Sequence, residues 1–368
     1  NLKYINCKNS APPTIEIFSQ FSQKQRQIII KSLNEDAAYL YQLLQVDLKL
    51  GGNLIKASRY KINVNNYITR AYSYGNTLSE PISFATIALK LDSGLIDVPK
   101  NLAIKGADIP LFSKHLSATH TLHIIDGCFP QDISSLQNCK HISLSKNPKD
   151  LNPIFSLPQL ETLHLKNANF PNGIPDRFDE LPNLKTLNLK NANFPHLPPT
   201  IVEHKSLEYL ILSKTQIQNL NLEKSILKKL MLSDTELDGQ CILPSTLESL
   251  SLSATQFTSA NIKFAHVPNL KHLWLAKCNQ TTLPTDIGLL KNLNLLSLND
   301  NPLSAFPTVL EELPKLRTLK LNNIDLKIKG QDIAKLSLDE LHLIHTDFDH
   351  QIPRSIDSIR IIDADRNN

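Results

Sequence analysis

Apolar residues recur along most of this chain as a triplet at positions i, i+3 and i+5. The first clear copy is Leu160, Leu163 and Leu165. Further copies begin at Leu184, Leu207, Leu227, Leu247, Leu270, Leu293, Leu316 and Leu338, with a weaker one at Ile356. Successive starts lie 24, 23, 20, 20, 23, 23, 23, 22 and 18 residues apart. Upstream, Cys139/Ile142/Leu144, Leu122/Ile124 and Leu102/Ile104 keep the register with imperfect first positions, and Leu89/Leu91 is one more candidate. A near-constant period of this size predicts a solenoid, in which each unit buries its apolar edge against its neighbours. Side chains alternate across a strand, so i+3 and i+5 share one face and each unit holds a short strand.

Two further columns support the pattern. Position i+10 is large and apolar in most units: Phe170, Phe194, Ile217, Leu237, Phe257, Leu303, Leu326 and Phe348. Position i+8 is Asn147, Asn301, Thr215, Thr235, Thr255, Thr346 or Cys278, small side chains able to pair backbone groups that the turn would otherwise bury alone. Ala168, Ala192 and Ile324 lack that capacity, which predicts water or an altered turn there. In the longer units Pro175, Pro199, Pro284 and Pro307 are placed to open a short outer helix. The 20-residue units at Leu207 and Leu227 leave no room for a full helical turn and should be flatter outside. Residues 1–85 lack the triplet. Their apolar spacing (Phe18, Phe21, Ile28, Ile29, Leu33, then Leu40, Leu43, Leu44, Leu48) suits helices, with a start at Asn34-Glu35-Asp36 and a stop at Gly51-Gly52. This portion is expected to be a helical cap over the end of a solenoid running through 86–368.

The pattern LxxLxLxx(N/T/C)xφ, with φ apolar, resembles the leucine-rich repeat, and the segment LPTDIGLLKNLNLLSLNDNPLSAFP carries it closely. The resemblance is specific over 139–365 and looser over 99–138. It implies an α/β solenoid of about 13 repeats, a horseshoe whose strands form a parallel sheet on the concave side. Uneven repeat lengths, abundant lysine and asparagine and the lack of disulfide caps are similar in style to leucine-rich-repeat effectors of intracellular bacterial pathogens. That likeness implies a secreted bacterial protein acting on a host protein, in the host cytoplasm. Its rivals are the substrate-recognition part of a ubiquitin ligase whose other segments lie outside this chain, and a surface adhesin.

Composition narrows the classes. Leucine occupies 62 of 368 positions and glycine only 10, which excludes collagen and glycine-rich linkers. No apolar run is long enough for a membrane span. A net charge of +4, with lysines diluted by carboxylates and no interleaved aromatics, argues against nucleic acid as partner. The chain begins at Asn1 and its one methionine is Met231, so an upstream segment is expected to have been removed. Five cysteines without a CxxC predict neither a disulfide framework nor a zinc site. His342 and His345 lie three apart on an expected strand and turn, not on one helix face, Asn279-Gln280-Thr281 is a glycosylation sequon, and motifs for nucleotide binding, zinc proteolysis or serine hydrolysis are absent. No catalytic residue, metal site or cofactor is expected, and the chain is read as non-enzymatic.

The face that remains is the inner wall. Positions i+2 and i+4 point away from the core, and most are polar. Ile211, Met231 and the only tryptophan, Trp274, are not; Tyr209, His272 and Leu295 stand beside them. Grouped aromatic and flexible apolar side chains on an open surface predict a protein-binding anchor, with Lys166, Lys190 and Lys229 contributing orientation. Lys140, Lys146, Lys166, Lys185 and Lys190 against Glu161 at one end, and Asp339, Glu340, Asp357 and Asp363 against Arg360 at the other, predict a wall running from basic to acidic.

Overall fold

A three-residue strand has too few hydrogen bonds to persist alone, so these strands exist only as neighbours of one another. A computed structural model describes 101–362 apart from 105–108, 125–127, 130–132, 145–147, 149, 238, 259 and 350–358, together with Ser19, Gln20, Ser22, Gln23 and Arg26. The expected helical cap over 1–85, the candidate strand at Leu89/Leu91 and the triplet's start at Ile356 lie outside the described residues. The chain divides into two compact units, Asn1–Leu160 and Glu161–Asn368.

In the first unit, β1 (Asn101–Ile104), β2 (Thr121–Ile124) and β3 (His141–Leu144) pair in parallel. Leu102, Ile104, Leu122, Ile124, Ile142 and Leu144 all point into the core. In the second unit the strands are β4 (Thr162–His164), β5 (Thr186–Asn188), β6 (Tyr209–Ile211), β7 (Leu220–Asn221), β8 (Lys229–Met231), β9 (Cys241–Ile242) and β10 (Ser249–Ser251). They continue as β11 (His272–Trp274), β12 (Leu295–Ser297), β13 (Thr318–Lys320), β14 (Ile328–Lys329), β15 (Glu340–His342), β16 (Phe348–Asp349) and β17 (Arg360–Ile362). Ten of these form a parallel sheet in the order β4-β5-β6-β8-β10-β11-β12-β13-β15-β17, while β7 pairs β9 and β14 pairs β16 outside it. The central residues of the sheet, Leu163 through Leu187, Leu210, Leu230, Leu250, Leu273, Leu296, Leu319 and Leu341, form one buried row.

The outer segments follow repeat length. In the longer repeats they are single turns, mostly of 3-10 geometry: Phe178–Glu180, Pro199–Val202, Phe264–His266, Thr285–Leu289 and Thr308–Glu312. Pro199 occupies a first-turn position, whereas Pro284 and Pro307 sit one residue earlier, as caps. The 20-residue repeats instead carry the two-residue strands β7 and β9, in keeping with the lack of room for a helical turn.

What links repeat to repeat beyond the strands is the turn that follows each one. Position i+7 is left-handed in nine consecutive repeats: Asn167, Asn191, Lys214, Asp234, Ala254, Lys277, Asp300, Asn323 and His345 all have φ between 55° and 61°. The next residue then reaches inward. Thr235 Oγ1 donates to Leu212 O (3.2 Å), Thr255 Oγ1 to Leu232 O (2.6 Å), Cys278 Sγ to Leu252 O (3.1 Å) and Thr346 Oγ1 to Leu321 O (2.6 Å), in each case a carbonyl of the preceding repeat. Asn301 does most. Its Nδ2 donates to Leu275 O (2.7 Å) and Leu298 O (2.8 Å), and its Oδ1 accepts from Cys278 N–H and Gln280 N–H (both 3.1 Å). Of the two expected outcomes at Ala168, Ala192 and Ile324, the altered turn does not occur. The residues before them hold the same left-handed conformation, because asparagine there tolerates it well.

A second inter-repeat bond lies on the outer side. His204 is 5% exposed; its Nε2 lies 2.9 Å from Phe178 O, and its Nδ1 accepts the Ser206 N–H at 3.3 Å. The acceptor role of Nδ1 places the ring proton on Nε2, which donates to the carbonyl. Burial pulls the His204 pKa below its ordinary 6.5 and keeps the ring neutral.

Three outcomes follow. Asn301→Ala leaves two carbonyls and two N–H groups of the turn without partners and should cost about 2–4 kcal/mol, while Asn301→Thr, which restores one donor, costs less; urea midpoints at unchanged slope measure both. Ala254 is exposed and left-handed, so Ala254→Gly relieves strain and should stabilise by about 0.5–1 kcal/mol, seen as a higher melting temperature. Because the folded pKa of His204 lies below its unfolded value, the unfolded chain takes up the proton first as pH falls. The contribution of His204 is therefore whole above about pH 6.5 and shrinks below it. Urea titrations between pH 7.5 and 5 should show a steeper acid loss for the native chain than for His204→Gln.

Candidate functional site

Strand alternation turns two rows of the second unit away from its core. One row runs Tyr209, Lys229, Ser249, His272 and Leu295 on adjacent strands; the other runs Ile211, Met231, Ser251, Trp274 and Ser297. Seven of the nine residues predicted to contact a partner therefore stand on β6, β8, β11 and β12. The pairs Tyr209/Ile211 and Lys229/Met231 are immediate neighbours, as are His272/Trp274 and Leu295. Lys166 and Lys190 are exposed in the turns after β4 and β5. With neighbouring strands about 4.8 Å apart, Lys190 is about 19 Å and Lys166 about 24 Å from Trp274 across the sheet. Both therefore belong to the β6 end of this face and do not border the tryptophan.

The side chains touch one another. The His272 and Trp274 rings stack with centroids 5.9 Å apart and planes 30° from parallel. Lys229 Nζ stands 5.9 Å over the Tyr209 ring, a cation–π arrangement. Burial raises the pKa of the Tyr209 hydroxyl, so the ring stays neutral. Between the two groups lies β10, whose inner residues are both serines. Ser249 Oγ is 3.0 Å from His272 Nδ1, and Ser251 Oγ is 2.7 Å from Ser233 Oγ. Although small and on an outward row, Ser249 and Ser251 are buried. Their larger neighbours in register cover them, so β10 floors the group instead of dividing it. Sequence reasoning missed this floor, since a serine column is unremarkable until its flanks are known. Tyr209, Ile211, Met231, His272, Trp274 and Leu295 are all half-buried.

The row at i+1 carries alternating charge: Glu161, Lys185, Glu208, Lys228, Glu248, Lys271. Adjacent members pair, with Lys185–Glu161 at 3.5 Å, Lys228–Glu208 at 2.7 Å and Lys271–Glu248 at 2.8 Å. Reading i+1 down successive repeats would have found this ladder. It changes the expected basic-to-acidic run, because Lys185 and Glu161 neutralise each other. Lys146, Asp357 and Asp363 lie outside the described residues, while Glu340 is 3.5 Å from Arg360 and 3.7 Å from His342. Burial, followed by Lys271 and Lys229, lowers the His272 pKa. Burial and Lys320 do the same to His342.

Other chemistry is sparse among the described residues. The thiols of Cys139, Cys241 and Cys278 are buried, and burial pushes their pKa values up to about 11, 12 and 11. They are protonated and inaccessible at neutral pH, unlike a nucleophilic cysteine. No group of three potential metal ligands occurs among the described residues. No helix there is long and apolar enough to cross a membrane. A polar groove of about 790 Å³, lined in part by Asp234, Glu236, Asn261, Asn279 and Gln280, runs along the turns that follow β8, β10 and β11. The sequon's Asn279 and Thr281 are both exposed.

No protein-family model matches the chain, and no curated protein matches it. Solved structures do. An internalin (inlF) of Listeria monocytogenes is 20% identical over 71% of this chain and 77% of its own, with a TM-score of 0.50. In the octameric complex of Latrophilin 3, Unc5D and the leucine-rich repeats of FLRT2, the matching chain is 20% identical. It covers 67% of this chain and 83% of that one, with a TM-score of 0.51. PEPR1–AtPEP1 is 24% identical over 71% of this chain but only 40% of that chain, with a TM-score of 0.49. At such identities the likeness is one of fold, and the stacked parallel strands, inward leucines and recurrent left-handed turns are those of a leucine-rich-repeat solenoid.

Proposed function

We propose that this protein is a non-enzymatic interaction module that holds a protein partner against the outward rows of β6 to β12. The observation that carries the reading is the contiguous set Tyr209, Ile211, Met231, His272, Trp274 and Leu295, brought together by strand register on outward rows and held half-buried there. Large apolar and aromatic side chains held half-buried on a rigid sheet lose little entropy on binding and supply much of the energy at protein interfaces. Support of a general kind comes from the complex containing the FLRT2 repeats, where a leucine-rich-repeat domain is one member of a protein assembly. The partner is proposed to be a host protein and the chain a secreted bacterial effector, on the strength of its lysine- and asparagine-rich composition and its unpaired described cysteines.

Immobilised chain incubated with host lysate should retain a protein that Trp274→Ala and Met231→Ala each release. Lys263→Ala, on an outer segment, should retain it. Once that protein is purified, Trp274→Ala should weaken its binding by about 2 kcal/mol or more by calorimetry. Equal retention by all variants, with melting temperatures unchanged, would remove the binding role from this face.

A further inference from the structure

The rows at i+2, i+4 and i+6, taken from β4 to β13, hold no aspartate or glutamate. They do hold Lys166, Lys190, Lys229 and Lys320, none of which forms an ion pair among the described residues. The carboxylates nearest to these rows are already used. Glu161, Glu208 and Glu248 pair with the lysines of the i+1 ladder, Asp234 lies 3.3 Å from Lys214, Asp300 accepts the Asn323 amide at 3.0 Å, and Glu340, in register with Thr318 on the strand next to Lys320, lies 3.5 Å from Arg360. A neutral partner seated on the apolar group would leave the lysines beside it, Lys229 and Lys320, without counter-charge from the partner, and a basic one would be repelled.

We propose that the occupant of this face is an acidic protein segment with apolar or aromatic anchors, its carboxylates meeting Lys190, Lys229 and Lys320 and its anchor seating against Met231 and Trp274. This rests on the binding role assigned to the face above and adds the partner's chemistry. The arrangement fits such a segment in three respects. Lys229 stands within the apolar group on β8, between Tyr209 and Ser249 in register, and Lys320 stands on β13, one strand beyond Leu295. Lys229 is held over Tyr209, so its ammonium is already positioned. His272 is kept neutral by burial and by Lys271 and Lys229, so an incoming carboxylate meets a field that already disfavours further positive charge. Ser251 is buried between Met231 and Trp274 in register, so these two side chains form the exposed surface there and suit an anchor residue in preference to a uniformly charged chain.

The test is a selection from a random library of displayed 15-residue peptides on the intact chain. Peptides enriched on the native chain should be net negative and carry at least one Trp, Phe, Leu or Met. The tightest of them, made synthetically, should change the fluorescence of Trp274, the chain's only tryptophan. Lys229→Gln and Lys320→Gln should each weaken it at least fivefold, Lys263→Gln should leave it unchanged, and added salt should weaken it further. A single-stranded oligothymidylate of 15 nucleotides serves as the polyanion control. Binding of that oligonucleotide as tight as the peptide's would overturn the assignment in favour of a general anion surface. Enriched peptides of neutral or positive charge that still perturb Trp274 would overturn the acidic partner while leaving the binding face intact. Peptides that bind without perturbing Trp274 would overturn both, and no enrichment would overturn a linear acidic segment as the occupant.

Discussion

In five repeats the side chain after the left-handed turn reaches a buried carbonyl of the preceding repeat, and those bonds tie the second unit together beyond its strands. Just past each three-residue strand the ladder runs on through two more N–H groups, as in Leu212 N–H to Met231 O (2.8 Å) and Lys214 N–H to Ser233 O (2.9 Å), and the chain then turns. The left-handed residue at i+7 reverses the chain there, so that the side chain at i+8 can reach the carbonyl five residues into the preceding repeat. Threonine, cysteine and asparagine all serve, because the requirement is a short side chain with a donor. Asparagine serves best, since it also accepts two N–H groups. Hydrogen bonding thus reinforces the stacking that the leucine row fills, and the repeats with Ala168, Ala192 and Ile324 stack in the same register on strand pairing and leucine burial.

Charge on the strand surface follows the same economy of neighbours. Opposite charges alternate along i+1, where adjacent strands bring them within 2.7–3.5 Å. These pairs are exposed and contribute little to stability individually. Their larger effect is to remove glutamates from circulation, so that the lysines on the inner rows stand without internal counter-ions. The electrostatic character of the face is set by where the carboxylates are pinned, more than by the chain's net charge of +4.

Much of the fold was legible because leucine burial repeats with a period that survives variation in loop length. The strand positions, the inward i+3 and i+5 residues, the role of Thr255 and Asn301, and the flat outer side of the 20-residue repeats all follow from spacing and side-chain capacity. The left-handed column was not legible. Its asparagines, aspartates and histidine tolerate positive φ, but Lys214, Ala254 and Lys277 announce no such conformation, so the column does not stand out as one. The outer bond of His204 to Phe178 joins residues 26 apart and has no local pattern. At the site, the apolar positions could be picked out one by one, but spacing along the chain does not give distance across the sheet, and Lys166, named beside Trp274, stands five strands from it. The serine floor at β10 emerges only when both flanking strands are in register.

The location of the apolar group within the solenoid has a mechanical reason. Ile211 and Met231 stand on the two 20-residue repeats, the ones whose outer segments are strands. There Leu220 N donates to Gln240 O at 2.9 Å, Leu222 N to Ile242 O at 2.8 Å and Cys241 N to Asn261 O at 2.9 Å. Three successive repeats are consequently bonded through backbone on their inner and their outer sides, whereas repeats with 3-10 outer segments are bonded mainly within the sheet. A stack tied along both edges resists fanning open or closed. Side chains carried on it keep their spacing, and a surface that keeps its spacing loses less on binding than one that must first be ordered. Short repeats, which cost the protein outer helical turns, give back a stiff base beneath Tyr209, Ile211, Lys229 and Met231.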